Sequence, residues 1–129
     1  MVEAVALVLV LLGAGWLAIV AVVCLLAPQR AQQGLAAMGS SWRVQLGEHI
    51  PRALVGGALI IRAPLSKAPL ALDVAGWFIL ASSIVILLLP MRWHNAYARY
   101  WAERIPITAY RLLALPTLAM AVLLAYITI

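Results

Sequence analysis

The chain has few charged residues and almost no cysteine. Only 10% of its 129 residues are charged, four of them acidic, and Cys24 is the single cysteine. One cysteine cannot form an intramolecular disulfide framework or a thiolate metal cluster. No P-loop, dinucleotide-binding fingerprint or nucleophile elbow is present in the sequence. These absences exclude a disulfide-stabilised secreted fold and leave the common soluble enzyme classes without their signatures.

Apolar residues dominate instead. They make up 67% of the chain, against about 45–50% in soluble globular proteins. Because a soluble fold of this length cannot bury so much apolar surface, we expect an integral membrane protein with the lipid bilayer as its solvent. The first apolar stretch, residues 4–27, is far longer than the signal-peptide core of about 7–15 residues. It is therefore predicted to be a retained transmembrane helix.

Four stretches are predicted to cross the membrane, namely residues 4–27, 52–68, 70–89 and 110–129. The second is the weakest, because Arg62, Pro64 and Lys67 interrupt it. Two amphipathic connectors, residues 30–50 and 91–105, separate the crossings. We therefore predict a single all-α membrane domain over residues 1–129, with four transmembrane helices and an interfacial amphipathic helix.

The two halves of the chain resemble each other. The matching strings are AGWL and AGWF at 14–17 and 75–78, PQR and PMR at 28–30 and 90–92, and EHIP and ERIP at 48–51 and 103–106. The internal repeat predicts two parallel helical hairpins, related by an axis along the membrane normal. Because proline fits the first turn of a helix, EHIP and ERIP are both interpreted as helix starts.

The second connector has an amphipathic pattern. Its aromatic residues recur at helical spacing, at Trp93, Tyr97, Tyr100 and Trp101, which predicts a helix lying in the membrane interface. Seven of the nine basic residues lie in or beside the connectors, namely Arg30, Arg43, Arg52, Arg92, Arg99, Arg104 and Arg111. The positive-inside rule then places the connectors in the cytoplasm and both termini on the non-cytoplasmic side. Since no basic tract is present, no nucleic-acid partner is expected.

Two charged residues are candidates for a role inside the membrane. Arg62 lies ten residues after Arg52, about 15 Å along a helix and half of the membrane core. Asp73, near the start of the next helix, is its candidate partner. An Arg62–Asp73 pair would line a conduction path or a ligand pocket. In the alternative interpretation, Arg62 reaches the membrane surface and Asp73 caps its helix.

The two histidines, His49 and His94, lie at the cytoplasmic ends of predicted crossings. Histidines on two membrane helices can ligate a haem between them. Neither histidine has a ligand-spaced partner close to it in the sequence. Because interfacial histidines without a special role are far commoner, we expect neither haem nor another metal site.

The stretch Arg92–Arg104 reads RWHNAYARYWAER. It resembles the end of the third helix in the MAPEG family of glutathione-dependent membrane enzymes, which have four crossings and work as trimers. The resemblance implies that Arg104 stabilises a glutathione thiolate and that Arg92 and Tyr97 lie near the cofactor. In the family's second-helix motif, Asn-x-x-Glu-x-x-Pro, Gln45 stands in the place of the Asn. Glu48 keeps its place and is a further candidate for glutathione binding.

Three functions therefore stay open, and the sequence does not decide whether the chain is an enzyme. The near absence of polar residues inside the helices favours a non-catalytic accessory subunit or scaffold, in a homo-oligomer or a larger membrane complex. Glycines such as Gly13, Gly56 and Gly76 would permit close helix approach there. A MAPEG-like glutathione-dependent transferase is the enzymatic alternative. A small oligomeric channel or transporter would use Arg62 and Asp73.

Overall fold

The computed structural model describes residues 1–129 and consists of helices joined by short turns. The elements are α1 (Val2–Leu26), α2 (Pro28–Ala37), α3 (Trp42–Arg62), a 3-10 turn (Ala63–Leu65), α4 (Pro69–Leu88), α5 (Met91–Arg104) and α6 (Ile107–Thr128). Three helices, α1, α4 and α6, are long and apolar enough to cross a membrane. The all-α prediction is confirmed, with three candidate membrane-spanning helices.

The long helices pack side by side, and α2 and α5 pack against each other at one end of the bundle. α1 contacts α6 and α3, α3 contacts α4, and α2 packs against α5. Only 22 of the 129 residues are buried, and most large apolar side chains face outward. That distribution suits helices surrounded by lipid, because lipid gives apolar side chains no reason to turn inward.

α3 and α4 run antiparallel and stay in contact along their length. Gly56 of α3 lies against Gly76 of α4: a Cβ on Gly76 would lie 2.8 Å from the Gly56 carbonyl oxygen. A Cβ on Gly56 would lie 2.8 Å from the main-chain nitrogen of Leu80. Only glycine at both positions allows the two backbones to approach this closely. Polar contacts continue the same register, from Arg52 to Ser82 and from Gln45 to Ile86.

The EHIP segment lies inside α3, so its predicted role as a helix start is wrong. α3 begins at Trp42, where the Oγ of Ser41 accepts a hydrogen bond of 3.3 Å from the Val44 main-chain nitrogen. Pro51 then lies within the helix, where it removes one main-chain hydrogen bond without ending the helix. The ERIP prediction is confirmed, because Pro106 is the N-cap of α6.

The other end of α3 also differs from the prediction. The segment predicted over residues 52–68 is helical only to Arg62 and continues as the 3-10 turn. Pro64 has no main-chain N–H to donate to the carbonyl of Ile60, so the α-helical ladder cannot extend past it. The hydroxyl of Ser66 donates to the Ala63 carbonyl at 2.8 Å and closes the turn.

The predicted polar connectors become two helices in contact. α5 covers almost all of residues 91–105, whereas residues 30–50 are divided between α2 and the first turns of α3. The Nδ2 of Asn95 donates to the carbonyls of Ala36 and Met38, at 3.0 and 2.8 Å. Gly39 then reverses the chain with φ of +71°, a conformation that glycine adopts without strain.

Both chain termini lie at the end of the bundle opposite to α2 and α5. The Nε of Arg62 donates to the carbonyl of Thr128 at 3.1 Å. The main-chain nitrogen of Lys67 donates to the carbonyl of Ile127 at 2.8 Å. Met1 shares a groove with Ile61. The last turn of α6 and the start of α1 are thus close to the turn that joins α3 and α4.

Candidate functional site

A group of polar side chains lies between α3 and α5, at the connector end of the bundle. Its members are Gln45, Glu48, His49 and His94, and we call it the histidine cluster. α3 supplies the first three, because residues spaced by three and four positions share one helix face. α5 supplies His94 across the helix contact. The cluster exists because α3 begins before the EHIP segment and turns His49 into the protein interior.

The tautomer of His94 follows from its hydrogen bonds. The carbonyl of Ile86 can only accept, so Gln45 turns its Nε2 toward it and donates at 3.2 Å. The Oε1 of Gln45 then faces Nδ1 of His94 at 2.9 Å. Because an amide oxygen can only accept, Nδ1 of His94 carries the proton. In the neutral ring, the free lone pair of His94 is therefore on Nε2.

His49 is fully buried and has no hydrogen-bond partner. Its side chain is 0% exposed, and neither Nδ1 nor Nε2 has a partner. Oε1 of Glu48 is 3.6 Å from Nε2, which is too far for a hydrogen bond. A buried polar group left unsatisfied costs about 1–3 kcal/mol. Such groups are rare in native proteins, and each requires a physical explanation.

The two imidazole rings face each other closely. Their centroids are 5.3 Å apart, with an angle of 52° between the ring planes. One ligand atom from each of Glu48, His49 and His94 lies within 4.8 Å of the other two. His49 lies ahead of the predicted crossing at residues 52–68. Burial lowers its pKa. The charge of Glu48 opposes this shift, whereas His94 and Arg52 add to it. His49 is therefore neutral near pH 7 and able to offer a lone pair.

The residues suggested by the MAPEG resemblance lie on the exposed side of α5, apart from Glu48. Arg92 and Tyr97 are exposed. The Cζ of Arg104 lies 3.5 Å from the centre of the Tyr100 ring, and Nη1 of Arg104 donates to the Tyr100 carbonyl at 3.3 Å. No salt bridge joins Glu48 to Arg92 or Arg104, since its one close ionisable partner is His49. Their roles toward glutathione stay predictions.

Arg62 and Asp73 lie at the opposite end of the bundle. Arg62 binds the carbonyl of Thr128, one of the carbonyls that the C-terminus of α6 leaves without a helical partner. No salt bridge within 4.0 Å forms between Arg62 and Asp73. Lys67 makes a similar contact, donating through Nζ to the Tyr126 carbonyl at 2.9 Å. The Arg62–Asp73 pair stays a prediction.

The histidine cluster was missed by the sequence reasoning for an identifiable reason. Taking EHIP as a helix start left Gln45 in a connector, so the shared face of Gln45, Glu48 and His49 went unseen. His94 is distant in sequence and reaches the cluster only because α5 packs against α2, which brings His94 beside Gln45 and His49 of α3. The signal that was present is the three-and-four spacing of the α3 residues.

Comparison with known proteins gives no relative from which a function could be inferred. No protein-family model matches the chain, and neither the search of curated proteins nor the search of solved structures finds a significant match.

Proposed function

We propose that the chain is a multi-pass membrane protein that acts as a non-catalytic subunit of a homo-oligomer or larger membrane assembly. The observation that carries the proposal is a pair of apolar grooves on the outer surface of the bundle. One is lined by α4 residues that include Ala71, Ala75 and Phe78. The other lies between α1 and α3 and includes Gly57. Neither groove contains an acidic or basic side chain.

Small residues in these grooves favour a helix from another subunit as the occupant. Ala71 and Ala75 are four positions apart on one helix face, the spacing that lets membrane helices approach closely. A Cβ added to Gly57 would meet nothing within 4 Å, so its surface is open to an external group. Close packing of a second helix there would provide van der Waals contacts, the main attraction between helices in lipid.

We further propose that α3 from Arg52 onward, with the turn that follows it, forms a fourth crossing. It lies antiparallel to α4, which is long and apolar enough to span a membrane. Contacts at Gly56 and Ile60, and then in the 3-10 turn, follow α4 toward its N-terminal end. A segment that stays in contact with a spanning helix passes through the same depth of bilayer. Arg52 then lies at the connector end of the crossing, and Arg62 lies about 15 Å further along it.

The repeat and the orientation belong to the same proposal. Exchanging the two halves would convert the α1–α6 contact into the α4–α3 contact, and both contacts are present. Both termini lie at one end, close to Arg62 and Lys67, whereas the other seven basic residues belong to the connector end or its flanks. The positive-inside rule then favours cytoplasmic connectors and non-cytoplasmic termini.

A groove substitution with a matched control tests the assembly proposal. Gly57→Leu fills the groove without an internal clash, so we expect it to shift the protein from oligomer or complex toward monomer while the melting temperature changes little. Gly15→Leu is the control, because Gly15 is also open to the surface and lies outside both grooves. Cross-linking in native membranes, followed by mass measurement in mild detergent, provides the readout.

Two results would contradict the assembly proposal. One is a wild-type protein that is monomeric by cross-linking in its native membrane. The other is an unchanged assembly in a variant that combines Gly57→Leu with Ala75→Leu. Sidedness is tested separately with a reporter fused after Ile129, for which we expect activity on the non-cytoplasmic side. Cytoplasmic activity of that reporter would contradict the four-crossing topology.

A further inference from the structure

We propose that Glu48, His49 and His94 form a binding site for one divalent first-row transition-metal ion, with Zn²⁺ as the best match. The proposal does not depend on the assembly role, because the histidine cluster lies within one subunit and away from both grooves.

The chemical type of the ligand atoms determines which metal ion the site prefers. Two imidazole nitrogens and one carboxylate oxygen suit Zn²⁺ and its neighbours, whereas Mg²⁺ and Ca²⁺ require sites built mainly of oxygen. Zinc with three protein ligands keeps a fourth position for water or another small ligand. Glu48 and His49 are adjacent in sequence, and His94 comes from a different helix. A bound ion would therefore hold α3 and α5 together.

The distances are close to those that coordination needs. Bonds of about 2.0–2.2 Å in a tetrahedral arrangement place ligand atoms about 3.4 Å apart. The three ligand atoms lie within 4.8 Å of one another. The separations therefore exceed the tetrahedral value by at most about 1.4 Å.

The surroundings of His94 match those of a metal ligand. A ligating histidine usually donates its other ring N–H to a fixed acceptor, which sets the tautomer and the ring orientation. His94 donates Nδ1–H to Gln45 at 2.9 Å, and Gln45 is itself held by the Ile86 carbonyl. Nε2 is left as the coordinating atom. Gln45 is thus a positioning residue for the site.

His49 supplies an independent observation. Both of its nitrogens are buried without a hydrogen-bond partner, although native proteins rarely leave such groups unsatisfied. Coordination would satisfy one nitrogen and explain why a histidine is buried between the helices.

Zinc titration of the full-length protein in detergent tests the proposal. The protein is purified with a histidine-free affinity tag, stripped with a chelator and titrated with ZnCl₂ against a zinc-sensitive dye. We expect saturation at one Zn²⁺ per chain and a rise in melting temperature, because an ion that binds only the folded state stabilises it. Co²⁺ in place of Zn²⁺ should give the visible absorption of a low-coordinate nitrogen and oxygen site.

Substitutions distinguish this site from adventitious binding. His94→Ala and Glu48→Gln should each weaken zinc binding by at least about tenfold, and Gln45→Leu by about 10–100-fold through loss of the second contact of His94. Glu103→Gln is the matched control, since Glu103 holds the place in ERIP that Glu48 holds in EHIP. It should bind zinc as the wild type does.

Two results would refute the proposed metal site. The absence of saturable binding by folded wild-type protein would refute the site. So would zinc affinity that is unchanged in both His94→Ala and Glu48→Gln, because the ion would then be adventitious. Both side chains are only partly buried, so these variants are expected to fold even where a substitution of His49 does not. A melting curve of each variant without metal verifies that it is folded.

Discussion

The EHIP and ERIP segments have nearly the same sequence but differ in the exposure of their second residue, His49 or Arg104. In EHIP, His49 is buried inside α3 and faces α5. In ERIP, Arg104 ends α5, is exposed and stacks on Tyr100. The distance from the preceding proline makes the difference: Pro28 is twenty residues ahead of Glu48, but Pro90 is only thirteen ahead of Glu103. The longer segment has room for α2, a reversal at Gly39 and an early start of α3.

The comparison shows that a short motif does not determine its own burial. The same Ile-Pro pair lies in the middle of one helix and at the beginning of another. The buried copy leaves His49 without a hydrogen-bond partner, whereas the exposed copy lets Arg104 find a partner on its own helix. Of the two segments, a buried polar side chain without a hydrogen-bond partner is therefore expected only at EHIP.

The largest effect should come from breaking the turn that makes the two segments differ. Gly39→Ala should lower the free energy of unfolding by about 2 kcal/mol or more, because a positive φ is strained for residues with a Cβ. The added Cβ would also lie 2.9 Å from the main-chain nitrogen of Asn95. Thermal unfolding in detergent measures the loss.

Gly34→Ala is the control for this turn. Gly34 lies within α2, and a Cβ there would meet nothing within 4 Å. Replacing a helical glycine with alanine should stabilise the protein by about 0.5–1 kcal/mol. Equal effects of the two alanine substitutions would show that Gly39 does not set the start of α3.

The two prolines should respond differently to replacement. Pro51→Ala restores a main-chain donor within α3 and should raise the free energy of unfolding by about 1–3 kcal/mol. Pro106→Ala changes a residue that precedes α6 and should shift stability by no more than about 0.5 kcal/mol. Thermal or denaturant unfolding of both variants provides the comparison. A loss of stability in Pro51→Ala would contradict the continuous α3.

Acidification should destabilise the buried copy of the motif. The pKa of His49 is lower in the folded protein than its usual value near 6.5, so the unfolded chain binds more protons as the pH falls. The contribution of neutral His49 to the free energy of unfolding is therefore fully present above about pH 6.5. It is lost as the pH falls through the folded-state pKa. Melting temperatures from pH 8 to 5, measured with a chelator present, should show this decline in the wild type.

His49→Leu serves as the control for the pH series. Its melting temperature should decline less with acidification, since the buried titrating group is gone. An identical decline in the wild type and His49→Leu would assign the pH dependence to other groups.

The smallest effect is expected at the exposed copy. Arg104→Ala removes the stacking on Tyr100 and an exposed hydrogen bond to the Tyr100 carbonyl, and should cost no more than about 1 kcal/mol of stability. Glutathione binding to the wild type and to the same variant, measured by calorimetry, tests the transferase alternative. Binding by the wild type that disappears in Arg104→Ala would support the transferase alternative over a non-catalytic role.

Local patterns predicted a large part of the fold. The apolar runs gave α1, α4 and α6 within a few residues, and the aromatic spacing gave α5. α3 was misjudged because its first half is polar and its second half is apolar, so composition divided one helix into a connector and a crossing. The histidine cluster depends on contact between α3 and α5. Such a contact is a property of tertiary packing and leaves no local pattern in either segment.

The bond between Arg62 and the Thr128 carbonyl has a consequence for biogenesis. The chain is synthesised from its N-terminus, so Arg62 reaches the membrane well before α6 exists. Until then the guanidinium lacks the carbonyl that it binds in the finished fold, and an unpaired arginine within a bilayer is costly. In the proposed four-crossing topology, we therefore expect insertion of the second segment to be completed only when the last helix arrives. The hydrogen bond from Arg62 to the final turn of α6 then completes the packing of the bundle.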